Sequence, residues 1–312
     1  MDEAARWAHP TGIPRDRGTV VTVGTFDGVH RGHWEVLQEI RRRAEATGRR
    51  SVLVTFDPHP LRIVRPEHAP SLLTTPVEKK EILAESGLDW AVFISFTETL
   101  SRYSPRDFVE DILVGRLGVD ELVIGYDHGF GAGRSGDADT LRAIGRELGF
   151  AVDVVAPVAT GGEPVSSSRI RRAIGEGRME EARACLGRPY SVRGVVVRGD
   201  GRGRQLGFPT ANLKVEHADK LIPPAGIYAV RGATRSGTHM GALHLGPRPT
   251  FKGSPPTVEL HFLDFDADLY GEEVRVDFVR RLRDVQPFDS AAALVAQMRQ
   301  DVAVARGVLD QE

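Results

Sequence analysis

The sequence predicts two architectures in succession: an α/β domain on a doubly wound parallel sheet, then a small antiparallel β-barrel with a C-terminal helix. Three observations predict this. A chain of 312 residues holds about two domains at roughly 100–200 residues each. From residue 18 to about 156, short β-branched runs alternate with amphipathic helical stretches, the pattern of βαβ units. After Tyr190 the apolar runs are instead joined by Gly/Pro turns, which suits a closed antiparallel barrel.

In chain order, the first-domain strands are expected at 19–23, 51–56, 90–96, 121–125 and 151–156. Two helix starts are well marked. Thr75-Pro76-Val77-Glu78 combines an N-cap, a proline at the first helical position and a capping-box glutamate, and Ser104-Pro105 begins another helix similarly. Residues 168–186 read as helical with a break near 175–177, and Gly187-Arg188-Pro189 ends the stretch. The domain boundary is therefore expected at 187/188, giving domains 1–187 and 188–312. Barrel strands follow at 191–198, 227–232, 240–245, 257–263 and 274–278, and Asp289-Ser290 caps a helix to about Ala305 that plugs or flanks the barrel. Its apolar positions are Leu294, Val295, Met298 and Val302.

Composition narrows the function classes. Lysine and arginine total 41 against 43 acidic residues, so the net charge of −2 gives no electrostatic case for binding nucleic acid or an acidic membrane. Hydrophobic residues at 41% and charged residues at 27% are those of a folding chain rather than a disordered one. The longest apolar runs fall far short of the ~20 residues that span a bilayer, and no signal-peptide core is visible, so a cytoplasmic protein is expected. One cysteine, Cys185, excludes an intramolecular disulfide and a cysteine-rich metal site.

The first strand runs into residues 24–33, Gly-Thr-Phe-Asp-Gly-Val-His-Arg-Gly-His, after which a helix is expected. The carboxyl end of a sheet strand beside a helix N-terminus is where phosphates bind. Gly24, Gly28 and Gly32 allow close backbone approach, and His30 and His33 can donate to charge developing on an α-phosphate. Plain alternatives are two histidines near a helix start, or a metal site using Asp27. Residues 131–136 match Gly-x-Gly-x-x-Gly but lie too far past the strand end for a dinucleotide fingerprint.

In the second domain, residues 199–212 are rich in Gly and Arg yet lack the ending of a Walker loop. Gly203 and Gly207 permit a flexible flap over phosphates, while the Thr210 hydroxyl and Asn212 carbonyl are hard oxygens suited to Mg²⁺. Strand alternation in 258–262 puts Glu259 and His261 on one face, so Glu259 is either a general base or an ordinary solvated strand residue.

The motif Gly-x-Phe-Asp-Gly-x-His-x-Gly-His resembles the FMN adenylyltransferase module of bacterial bifunctional riboflavin kinase/FAD synthetases. Further stretches extend the likeness: 55–60 (Thr-Phe-Asp-Pro-His-Pro), 165–171 (Val-Ser-Ser-Ser-Arg-Ile-Arg), Pro209-Thr210-Ala211-Asn212, 224–228, 246–251, Glu259 and 264–271. It spans about residues 18–309. The resemblance implies two steps in flavin cofactor biosynthesis: riboflavin and ATP give FMN and ADP in the barrel, then FMN and ATP give FAD and pyrophosphate in the first domain.

It also implies residue roles. His30 and His33 are catalytic in adenylyl transfer. Gly24, Phe26, Asp27, Gly32, Asp127, Ser166, Ser167, Ser168 and Arg171 bind nucleotide, and Phe56, Pro58 and His59 bind flavin. In the kinase, Glu259 is the base, Gly203 and Gly207 belong to the nucleotide loop, and Thr210 and Asn212 hold nucleotide and Mg²⁺. Taken alone, the serines could be helix caps and Phe56 sheet core. The chain departs from the family pattern at His128, Gly129 and Pro164, and at His244, where asparagine is usual. The alternatives are a riboflavin kinase whose first domain is a degraded flavin-binding or regulatory module, and a flavin-binding protein without turnover.

Overall fold

The computed structural model describes residues 12–126, 129, 136–199, 201–246 and 257–312, with the backbone alone at 6–8 and 202. By internal contacts the chain forms two compact units, Met1–Ser167 and Ser168–Glu312.

The first unit is a sheet of six parallel strands: β1 (Arg6–Ala8), β2 (Thr19–Val23), β3 (Arg50–Asp57), β4 (Trp90–Ser95), β5 (Val119–Gly125) and β6 (Ala151–Val155). Their order is β1-β4-β3-β2-β5-β6. The five expected strands are present within a residue or two, and β1 is an additional edge strand. Order reverses at β2, so the crevice beyond its carboxyl end lies at the topological switch point where α/β sheets bind ligands. β2 is buried along its whole length, with helices and strands supplying two cores, one around Val21, Val54 and Leu122 and one around Val20, Leu37 and Leu53. Thr75 and Ser104 cap their helices reciprocally with Glu78 and Asp107, as expected.

The helix after β2 starts earlier than expected. Helix α1 (Arg31–Thr47) begins at Arg31, so His30 is its N-cap and His33 its third residue. The histidines form the first turn instead of preceding it.

The second unit is a closed barrel of β9 (Tyr190–Val197), β10 (Ala211–Lys214), β11 (Gly226–Thr234), β12 (Gly237–Gly246), β13 (Thr257–Phe262) and β14 (Glu273–Arg283). A small hairpin, β7 (Ala159–Thr160) with β8 (Glu163–Pro164), precedes it. The ring order is β10-β13-β12-β11-β14-β9. β10 is the one strand of this barrel that the sequence pattern did not give, and it completes the closure. Alternate residues fill the interior, with Tyr228 and Phe278 edge to face at 5.2 Å. The C-terminal helix (Ala291–Leu309), capped by Ser290, flanks the barrel and runs four residues further than expected. Its fully buried positions are Asp301, Ala305 and Leu309, whereas the four expected ones are half-buried. Asp301 is buried because Arg283 on β14 takes both its oxygens at 2.8 and 2.6 Å.

The division at 167/168 falls twenty residues before the expected boundary, for a packing reason. Helices Ser167–Gly175 and Met179–Leu186 form around the anticipated break, and Met179, Ala182, Cys185 and Leu186 are fully buried. The second of these helices packs on β9 and β14, with Glu180 paired to Arg280 at 2.6 Å.

Candidate active sites

The first site is built from the turn between β2 and α1. The His30 ring accepts a hydrogen bond at Nδ1 from the backbone N–H of His33, and the His33 ring accepts one at Nδ1 from the N–H of His30, both at 3.3 Å. A backbone N–H is only a donor, so each ring is the neutral tautomer with its proton on Nε2. The rings stack at 3.6 Å and 12°. Phe26, buried, packs its ring 4.5 Å from that of His33. Phe26 and Val29 hold positive φ angles of 48° and 36°, a strained backbone for such residues and one concentrated at functional turns. Gly24 and Gly32 serve these rings directly. A Cβ at Gly24 would stand 3.0 Å from the Phe26 ring, and one at Gly32 would stand 3.3 Å from His30.

Asp27 lies in the same turn but faces inward. Its carboxylate accepts from the N–H groups of Leu73 and Thr74 and from the Thr74 hydroxyl at 3.0–3.2 Å. Thr74 in turn accepts from the Gly28 N–H. The carboxylate thus ties the β2–α1 turn to the segment ahead of the Thr75 cap. Among the described residues no group of three or more His, Cys, Asp or Glu side chains could hold a metal.

Ser167 donates to the Asp27 carbonyl at 2.9 Å, which ties Ser167 to this turn. Ser166 is half-buried, while Ser168 and Arg171 belong to the second compact unit, Ser168 exposed and Arg171 half-buried. Asp127 and His128 lie outside the described residues.

Beyond β3 a solvent-open cleft is lined by Asp27, Phe56, Asp57, His59, Lys79 and Phe93, among others. Phe56 is both sheet core and cleft wall, with Phe96 edge-on at 5.4 Å. Pro58 is exposed and follows a cis peptide bond, and His59 caps the next short helix by accepting from Leu61 N–H. Lys79 was not among the expected residues. It is buried, donates to the Thr25 carbonyl at 2.9 Å, and burial lowers its pKa against the opposing pull of Asp27 and Asp57. Its sequence signal was only a place in the turn after the Thr75 cap, which does not reveal which face is buried.

The second site lies on the barrel wall. Glu259 of β13 stands opposite Asn212 of β10 on one side and His244 of β12 on the other. Directly opposed residues of antiparallel strands share a face, so the three side chains form one row across three strands. Val258, Leu260 and Phe262 are buried on the other face, as the alternation predicted. Glu259, Thr210 and Asn212 make no side-chain hydrogen bond or ion pair among the described residues.

Thr210 immediately precedes β10 and lies over Gly203, where a Cβ would stand 3.2 Å from its hydroxyl. The expected open flap is, around Gly203, a helical turn (Arg202–Gln205) closed by Phe208 N–H donating to the Gly203 carbonyl at 2.8 Å. Gly207 holds φ +82°, which requires glycine there. A Cβ at Gly199 would collide with the Asn212 amide. His261, which the sequence placed on the Glu259 face, meets the Pro209 carbonyl at 2.8 Å and so anchors the backbone next to Thr210. Residues 247–251 lie outside the described residues.

A family model for FAD synthetase matches residues 13–169, and one for riboflavin kinase matches residues 186–309. The chain is 35% identical over 302 residues to the bifunctional riboflavin kinase/FMN adenylyltransferase of Escherichia coli, with 96% of each chain covered. It is 38% identical over 290 residues to the protein of that name from Listeria monocytogenes, covering 92% of this chain and 91% of the other. A solved structure named as a macrolide-efflux protein, from Streptococcus pneumoniae, matches with a TM-score of 0.88 at 30% identity, over 97% of this chain and 99% of that one. The efflux name belongs to that protein; among the described residues here, no helix is long and apolar enough to cross a membrane. With both halves matched and relatives of this kind aligned over nearly the whole chain, the kinase-only alternative gives way. The chain belongs to the bifunctional riboflavin kinase/FMN adenylyltransferase family, an FAD synthetase domain followed by a riboflavin kinase domain.

Proposed function

We propose that Glu259 is the general base of the kinase step and that His30 and His33 are the donors of the adenylyl step, with both reactions using ATP and Mg²⁺ in the cytoplasm. The observation that carries the kinase assignment is the Asn212–Glu259 pairing, which sets a carboxylate without a hydrogen-bond partner beside an uncommitted amide. In this reading Glu259 takes the proton of the ribityl 5′-hydroxyl as that oxygen attacks the γ-phosphorus of ATP. FMN forms and ADP leaves.

The Thr210 hydroxyl and Asn212 carbonyl fit Mg²⁺, because both are hard oxygens and neither is committed elsewhere among the described residues. When bound, the ion neutralises charge on the transferring phosphates. The missing cluster of carboxylates is no obstacle, since Mg²⁺ commonly takes one or two protein ligands and fills its shell with water and phosphate oxygens.

In the second step the FMN phosphate, already anionic, attacks the α-phosphorus of ATP and expels pyrophosphate. No base is needed. The Nε2–H groups of His30 and His33 donate to charge developing on the phosphate oxygens, in a site where fixed donors lower the barrier most. Gly24, Phe26, Gly32, Ser166 and Ser167 frame the nucleotide in this reading, and Phe56, Pro58 and His59 take the flavin ring, with Phe56 and His59 on the cleft wall. The functional boundary is placed at 187/188, with helices 168–186 lent to the barrel as packing.

Riboflavin, ATP and Mg²⁺ supplied to purified Glu259→Gln enzyme, with products separated by chromatography, test the base. FMN formation should fall by about 10²–10⁴-fold, while FAD formation from supplied FMN continues. Wild-type FMN production by the folded variant would make Glu259 an ordinary strand residue.

A further inference from the structure

His244 completes the row on the barrel wall, in the position on β12 directly opposite Glu259. Opposed side chains on one face have Cβ atoms about 4.5–5.5 Å apart, so the imidazole and the carboxylate are near neighbours, and the carboxylate's charge acts on the ring. The ring is half-buried, and its Cε1–Nε2 edge lies over Gly246, where any Cβ would collide with it. A glycine two residues on is thus what gives this imidazole its place. Neither ring nitrogen of His244 and neither oxygen of Glu259 has a hydrogen-bond partner among the described residues. Two half-buried polar groups with unspent capacity therefore face each other, each suited to satisfy the other.

The charged groups that act on the ring are Glu259 from β13 and Arg283 from β14, and Arg283 is itself tied to Asp301 of the C-terminal helix. From β11 the opposed residue is the apolar Ile227. Burial lowers the imidazole pKa and outweighs the Glu259 carboxylate, which works the other way. A neutral imidazole carries one N–H donor, and the carboxylate is an acceptor only.

We propose that His244 is a positioning residue of the kinase: its imidazole N–H donates to the Glu259 carboxylate and aims the carboxylate's other oxygen at the ribityl hydroxyl. The proposal rests on Glu259 being the base. In the step it supports, the hydroxyl proton passes to the carboxylate, the new O–P bond forms, and the bond from the γ-phosphorus to the bridging oxygen breaks with its electrons going to ADP. The carboxylic acid then returns its proton to solvent, one proton for each FMN. His244 keeps its own proton throughout and touches no reacting atom.

The test is a set of steady-state riboflavin kinase measurements on the full-length enzyme and on His244→Leu, His244→Asn, Glu259→Gln and the Leu/Gln double variant. Folding is checked by thermal unfolding, and His244→Met replaces the leucine variant should that one not fold. His244→Leu should lower kcat by about ten- to a hundredfold, the usual cost of losing a group that orients a reacting one. KM for riboflavin should stay within about threefold of wild type, because the interaction is made to the base rather than the substrate. Asparagine, which also offers an N–H, should recover most of the lost rate. The double variant should be no slower than Glu259→Gln alone, since the imidazole acts only through the carboxylate.

A wild-type kcat in a folded leucine variant, an asparagine variant as slow as leucine, or a double variant showing both losses multiplied would each overturn the proposal while leaving the base in place. A wild-type kcat in Glu259→Gln would remove the base assignment itself, and the role of His244 with it.

Discussion

His30 and His33 use one ring nitrogen each to close the first turn of α1, so the same bonds that cap the helix also fix which nitrogen carries the proton. Capping and chemistry are separable by substitution. His33→Ala removes the proposed transition-state donor and should lower FAD formation from FMN by about 10²–10³-fold, while riboflavin phosphorylation continues. It should also lower stability by about 1 kcal/mol through the lost cap. Glutamine at this third helical position can reach back to the N-cap N–H as in an ordinary capping box, so His33→Gln should keep the melting temperature yet remain slow. Product assays beside thermal unfolding check both halves. Wild-type FAD formation in His33→Gln would assign the ring to capping alone.

At the scale of elements, α1 is held at its far end by Arg43. That guanidinium bonds Glu39 within the helix at 2.6 Å, Asp153 on β6 at 2.5 Å, and Glu121 on β5. Hydrogen bonds from Arg42 and then Arg43 hold the Glu39 carboxyl at about 2, and Arg43 holds Asp153 below its ordinary value. Carboxyls depressed in the folded state stabilise above their unfolded pKa, and that contribution is lost as pH falls toward the folded value. Arg43→Met keeps the apolar stem and should cost about 2 kcal/mol at neutral pH, as for partly buried charge-assisted bonds. The gap from wild type should narrow between pH 4.5 and about 2. Unfolding curves at pH 7 and pH 3 check it, and an equal gap at both would mean the carboxylates are not what Arg43 stabilises.

Elements also show where sequence pattern succeeds. The strands flanking the first site were legible because buried parallel strands are unbroken apolar runs, as at Val20-Val21 and Val52-Leu53-Val54. β10 was not, because Pro209-Thr210-Ala211-Asn212 has turn composition, and Ala211–Lys214 becomes a strand only by pairing with β9 and β13. Glu259 was legible from alternation. Its neighbours Asn212 and His244 were not legible as a row, since register between strands distant in sequence is written in no local pattern. Lys79 was hidden for a similar reason: its burial depends on Thr25 and the cleft, not on its own helix.

For the whole molecule, the packing of helices 168–186 matters more than their position in the chain. Met179 and Leu186 alone bury side chains worth about 3–6 kcal/mol, and their helix lies on β9 and β14. A fragment of residues 168–312 should therefore fold, convert riboflavin to FMN and make no FAD. One of residues 188–312 exposes the strip that helix covered and should melt at lower temperature or aggregate. Circular dichroism and the product assay on both fragments check this. Equal melting temperatures would show that the helix contributes nothing to the barrel.

The barrel is closed, so no strand on its wall is an edge that can peel away. Asn212, Glu259 and His244 consequently ride on one backbone ladder, and any breathing that moves one of them carries the other two along. The turn around Gly203 and Gly207 lies outside that ladder. Substitutions in that turn can therefore accumulate while the row on the wall keeps its spacing.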